Sequence, residues 1–169
     1  NTPFLVQLFI IYFGLPAVGF RVGAEVAALI GMTINLTAYS TEIIRSGIEA
    51  VHKSQIEAGE ALGFTRLQIY RHVIILPALA KVYPALCSQF VLMMLASSVC
   101  SVISTQELAA SAAFVESQTY RSFEVYIVVT LIYLLLALCL RAVLALVGLW
   151  LFGRRVARRS VVAIPEASA

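Results

Sequence analysis

The residues able to do chemistry are few and scattered. Cys87, Cys100 and Cys139 stand far apart, each in an apolar stretch. No C-x-x-C pair exists, so neither a zinc site nor a disulfide framework is indicated, and the thiols read as small buried hydrophobes. His52 and His72 have no second ligand at metal spacing and fit a polar surface. No G-x-x-x-x-G-K-S/T string occurs, so the chain has no P-loop of its own for ATP. No acid/base pair, metal set or nucleophile beside a base gathers at one depth, so no catalytic residue, metal or cofactor is expected. What does repeat is hydroxyl. Thr33, Thr37 and Thr41 recur every fourth residue with Ser40 beside them, and Ser97, Ser101 and Ser104 form a similar stripe, with Gln89 further back along the chain. Such stripes either line a polar path or let helices pack closely, and the spacing fits both roles. Asn35 lies off the threonine stripe and needs a partner inside a bundle.

Composition says what must position these groups. The 169 residues are 61% hydrophobic and 12% charged, against about 45–50% and 25% in soluble domains. Lipid has to cover the excess. The fold class predicted is all-α, a polytopic transmembrane bundle. Four stretches approach the ~20 residues that a span requires: 4–20, interrupted by Gly14 and Pro16; 24–44; 78–103, with Pro84 near its start; and one beginning near Val125. The last run continues to Phe152 through Arg141, too long for one straight span, so a helix ending near Arg141 is predicted, followed by an apolar segment against the inner interface. Four spans place both termini and the 45–81 loop on one side. That side carries Arg45, Lys53, Arg66, Arg71, Lys81 and the tail arginines Arg154, Arg155, Arg158 and Arg159; the other carries Arg21 and Arg121. The arginine-rich side is cytoplasmic by the positive-inside rule, and 104–122 faces outside. Residues 1–153 form the membrane domain, and 154–169 form a basic cytoplasmic tail.

The loop at about 46–76 has internal design. Ser54 can cap a first helix through Leu62, Gly63 fits a left-handed stop, and Thr65 can cap a second helix that Pro77 ends or kinks. Leu67, Tyr70 and Ile74 fall on one face of that second helix. The same pattern resembles a DNA-binding helix-turn-helix, but apolar spans tether it within a few residues on both sides, so no nucleic acid is expected.

Glu57-Ala58-Gly59, Gly63 and Leu76-Pro77 resemble the EAA motif of ABC importer inner-membrane subunits, with Gly59 where a second Ala usually stands. The runs from Asn1 to Leu8 and Tyr12 to Pro16, with Ala38-Tyr39, Glu42 to Arg45, Gly47, Ile48, Ser98 and Ser101 to Ile103, are similar to the polar amino acid permeases. A permease for sugars, peptides or metals would share the loop but lack that flanking text. The departures are Asn1 for the usual Gly, Leu95 and Ala96 for a Lys and an acidic residue, and a different ending after Val147. The family has five spans, so the resemblance implies that one N-terminal span is missing here. It further implies separate ABC ATPase subunits seated on the loop, a periplasmic or extracellular solute-binding protein, a second permease subunit, identical or homologous, and a bacterial inner-membrane location. Glu57 would bond the ATPase or cap locally, and Gly63 would let the loop helices cross closely; Thr33, Thr37, Thr41, Gln89, Ser97 and Ser101 are the candidates to line the path of a polar amino acid, with helix packing as the alternative. A membrane enzyme is the competing class, and the absence of clustered catalytic groups weighs against it.

Overall fold

The structure is a computed structural model that describes residues 2–156, with side chains through Phe152. Six helices follow one another: α1 (Phe4–Ala17), α2 (Ala24–Glu49), α3 (Lys53–Ala61), α4 (Arg66–Ile103), α5 (Leu108–Thr119) and α6 (Ser122–Val156). Most of the expected basic tail, from residue 157 on, lies outside the described residues.

Two helices are long and apolar enough to cross a membrane, α4 and the Ser122–Phe152 part of α6. None of the most apolar window of α6 is buried within the chain. A helix bare of protein on such a surface needs an apolar solvent. α2 has the length, 26 residues, but Thr33, Asn35, Thr37, Ser40 and Thr41 lower its hydropathy.

Three boundaries differ from expectation. The first apolar stretch forms a helix only over Phe4–Ala17, about 21 Å at 1.5 Å per residue and short of a bilayer's ~30 Å. It passes Pro16, ends at Ala17 and turns at Gly19, where φ is +93°. Second, the span expected from residue 78 is continuous with the second loop helix, and α4 runs through both Pro77 and Pro84. Residues Ile69–Ile75 wind as a π-helix just ahead of Pro77. Their i→i+5 bonding widens the turn that the proline ring would otherwise crowd. Third, α6 does not stop near Arg141. Arginine is a good helix former, and between Ala142 and Phe152 only Gly148 weakens the helix, so the charge marks a depth and not a break.

The helices pack through small residues. α2 lies against α4 where Gly47 meets Val82 so closely that a Cβ would clash, and where the same Cβ would stand 3.3 Å from the Ala78 carbonyl. At the other end Leu8, Ala27, Ala28, Cys100 and Ile103 form a buried cluster that joins α1, α2 and the end of α4. Tyr83 of α4 sits over Gly148 of α6 and donates its hydroxyl to the Leu144 carbonyl at 2.6 Å.

Candidate functional site

The loop between α2 and α4 is held by backbone geometry. His52, not Ser54, is the N-cap of α3: its ring Nδ1 accepts the Ser54 N–H at 3.3 Å. The helix ends in a Schellman motif. Gly63, at φ +74°, donates its N–H to the Glu60 carbonyl at 2.9 Å, and Phe64 donates to the Gly59 carbonyl at 3.0 Å. Thr65 then opens α4 with a capping box: its Oγ1 accepts the Gln68 N–H at 3.4 Å, and Gln68 Oε1 accepts the Thr65 N–H at 2.8 Å. The N–H groups of Gly63, Phe64, Thr65 and Gln68 thus all have local partners.

The close approach between α3 and α4 is at Gly59. This glycine is buried, and a Cβ built there would meet Ile69 Cγ1 at 3.3 Å and Val73 Cγ2 at 3.6 Å. A Cβ on Gly63 would meet nothing within 4 Å. The expected division is therefore corrected: Gly63 supplies the left-handed turn, and Gly59 supplies the contact. The packing face of the second helix is also corrected. Ile69 is 5% exposed and Val73 half-buried, whereas Leu67 is 76% exposed and Tyr70 is exposed. Ile74, the third residue of the expected face, is half-buried, and the inner face is centred on Ile69 and Val73, four residues apart.

Glu57 and Ala58 lie on the exposed side of α3, and Leu62, 74% exposed, sits beside the turn. Among the described residues no hydrogen bond or ion pair engages the Glu57 carboxylate. Leu76 is half-buried and Pro77 exposed within α4. At the head of the loop Arg45 pairs with Glu42 and, at 3.3 Å, with Glu49, which ties the last turns of α2 along one face. Such exposed pairs add little stability, because water screens them.

The hydroxyl stripes separate. Thr33, Thr37 and Thr41 share an exposed face of α2, and Thr41 Oγ1 donates back to the Thr37 carbonyl at 2.8 Å. Asn35 on the opposite side is 6% exposed and donates Nδ2–H to Gln7 Oε1 at 3.0 Å, while Gln7 in turn donates to Thr2 Oγ1 at 2.6 Å. The second stripe changes its line. Residues Ser97–Ile103 wind as a 3-10 helix that Ser104 closes at φ 64°. With three residues per turn Ser98 stands over Ser101, and Ser97 is rotated off that line by about 120°. Ser97 donates to the Met94 carbonyl at 2.6 Å and Ser101 to the Ser98 carbonyl at 2.7 Å. Ser97, Ser101 and Gln89 are half-buried.

Two carboxylates outside the expected set organise the other face. Glu107 caps α5 by accepting the N–H groups of Ala109 at 2.8 Å and Ala110 at 2.7 Å, and Tyr133 of α6 donates its hydroxyl to the same side chain at 2.7 Å. Glu116 accepts the Ser122 hydroxyl at 2.5 Å and the Tyr126 hydroxyl at 2.9 Å. Those bonds, Ser122 first, hold the Glu116 carboxyl below the usual carboxylate range. Glu107 directly before an Ala-rich run was the available sequence signal; Gln7 had none apart from Asn35's need for a partner.

Residues 1–152 match the family described as Binding-protein-dependent transport system inner membrane component. The chain is 39% identical over 138 residues to a probable glutamine ABC transporter permease of Bacillus subtilis, covering 82% of this chain and 64% of the relative. It is 38% identical to a probable amino-acid ABC transporter permease of Vibrio harveyi, over 79% of this chain and 61% of that one. An octopine transport system permease of Rhizobium meliloti is 37% identical over 95% of this chain and 70% of its own length. The chain thus spans less than two-thirds of the first two relatives. A crystal structure titled as an amino acid ABC transporter with histidines superposes with a TM-score of 0.79 at 41% identity, over 87% of this chain and 69% of that chain.

Proposed function

The chain belongs to the family of binding-protein-dependent transport system inner membrane components, and from that premise we propose that it is a permease subunit of an ABC importer for polar amino acids. The subunit lies in the bacterial inner membrane with several spans and does no chemistry itself. A separate ATPase subunit hydrolyses ATP, a solute-binding protein delivers the amino acid, and a second permease subunit completes the path.

The observation that carries this reading is the loop. A Schellman stop and a capping box close its turn, yet it exposes Glu57, Leu62 and Leu67. A soluble loop with its own fold would bury those leucines; a loop built to seat in a partner would present them. α4 continues from this turn as one helix through the bilayer, so motion imposed on the loop tilts a span without an intervening joint. The exposed Thr33, Thr37 and Thr41 face of α2 then supplies a polar wall, closed by the second permease subunit.

The test is reconstitution of the assembled complex with its ATPase and binding protein, followed by a screen of polar amino acids. At least one is expected to raise ATP hydrolysis. A complex that assembles but answers only to sugars or peptides would overturn the amino acid assignment, and a chain that captures no ATPase would overturn the importer reading.

A further inference from the structure

Arg141 is the one charged residue in the apolar run of α6 from Val125 to Phe152. It opens onto a cavity of about 680 Å³ between α4 and α6, walled by Tyr83, Pro84, Val91, Ala145 and Phe152 among others. That volume lies within the roughly 300–1,000 Å³ of ligand-sized pockets. Nothing on the walls answers the charge. Among the described residues no carboxylate pairs with Arg141. The nearby Ser88 hydroxyl donates to the Pro84 carbonyl at 3.1 Å and the Tyr83 hydroxyl to the Leu144 carbonyl, and among the described residues neither accepts a hydrogen bond from Arg141. A guanidinium beside an oily cavity, with no anionic partner among the described residues, calls for an anion that brings its own apolar body.

Depth narrows the choice. Arg141 lies about 28 Å along α6 from Ser122 at 1.5 Å per residue, close to the ~30 Å hydrocarbon thickness. Tyr120 and Phe123 mark one interface and Trp150, 84% exposed, the other. Arg141 therefore falls where the headgroups of the Trp150 leaflet begin. In sequence the apolar run is followed by Arg154, Arg155, Arg158 and Arg159, and basic pockets between spans next to such clusters attract anionic lipid headgroups.

We propose that the cavity between α4 and α6 binds one anionic phospholipid of the cytoplasmic leaflet. Its phosphate accepts hydrogen bonds from the Arg141 guanidinium, a fork suited to phosphate, and an acyl chain lies against Pro84, Val91 and Ala145. The proposal rests on the membrane reading above and on its orientation, not on the solute carried.

The test uses the assembled complex, mildly delipidated and supplied with phosphatidylglycerol or phosphatidylcholine, with bound lipid counted by native mass spectrometry. Wild type is expected to retain phosphatidylglycerol about tenfold better than phosphatidylcholine, because the choline cation of the latter offsets its phosphate and is repelled by the guanidinium. Arg141→Gln should lose that preference and Arg141→Lys should keep part of it. Ala145→Trp, which fills the cavity and keeps the charge, should lose both lipids. Equal retention of the two lipids by wild type, or an unchanged preference in Arg141→Gln, would overturn the proposal. So would a photo-crosslinker at Ala145 that captures a protein segment instead of lipid. Solute-stimulated ATP hydrolysis, measured alongside, separates the two ideas: lipid preference without a solute response supports the lipid site while removing the importer reading.

Discussion

The two ends of the molecule solve one problem in opposite ways. Each must turn the chain between long helices and hold the turn still. The 50–65 turn uses the backbone: a Schellman stop at Gly63, a capping box at Thr65, and a glycine face at Gly59. Its carboxylate at Glu57 is left over. The 104–122 segment instead spends its carboxylates, fixing both ends of α5 to α6 through Glu107–Tyr133 and Glu116–Tyr126. A connection that anchors itself with side chains has few left for a partner. One that anchors itself with backbone keeps them free. The contrast fits a docking role for the first and a structural role for the second.

The contrast can be broken most directly at Gly63. A β-branched residue at φ +74° is expected to cost about 1–3 kcal/mol and to open the turn. Gly63→Val should abolish solute-stimulated ATP hydrolysis in the reconstituted complex while membrane insertion stays normal. Because a Cβ there touches nothing, Gly63→Asn should restore most of the response, since asparagine tolerates this conformation. Equal damage from Asn and Val would mean that backbone conformation is not the reason.

Glu107→Ala should come next. It removes a cap worth about 0.5–2 kcal/mol and strands the Tyr133 hydroxyl. The melting temperature should fall and protease should cut within 104–122, with stimulation per folded complex unchanged. A loss of stimulation without a loss of stability would place Glu107 in the transport machinery and end the contrast.

Gly59→Ala should be nearly silent. The methyl group meets Ile69 Cγ1 at 3.3 Å, and that strain is offset by the ~1 kcal/mol that alanine gains over glycine in a helix. A melting shift beyond about 1 kcal/mol equivalent would show that the α3–α4 contact is less adaptable than a branched side chain suggests.

The smallest effect is on Glu116. Its carboxyl is held below the ordinary range, so its contribution is present above the unfolded carboxylate value of about 4.3 and is lost as pH falls through the lower folded value. Accessibility of a Ser117→Cys label should rise only in strong acid. With Glu116→Gln that rise should disappear; its persistence would trace the change to another group.

Legibility followed range. Gly63 and Thr65 were legible because stops and caps depend on neighbours a few residues away. The Gly59–Ile69 contact was not, because it depends on how α3 and α4 cross, which no local pattern states. The serine stripe changed its line because 3-10 winding rotates Ser97 away from Ser101 and Ser104. Arg141 was taken as a boundary because charge in an apolar run signals an edge, yet helix propensity carries the chain past it. The membrane-spanning character was clear from composition; which helix rests on which was not. Glu107 and Tyr133 are 26 residues apart, and no local pattern links them.

The Asn35–Gln7 pair bears on how the protein is made. An amide facing hydrocarbon alone costs several kcal/mol, and α1 is too short to repay that by spanning on its own. Each helix carries the amide that silences the other's. α1 and α2 are therefore expected to leave the insertion machinery together, as a hairpin whose lipid solubility exists only once it has closed. Insertion assays on Asn35→Leu should show α1 losing its hold on the membrane although its own sequence is unchanged.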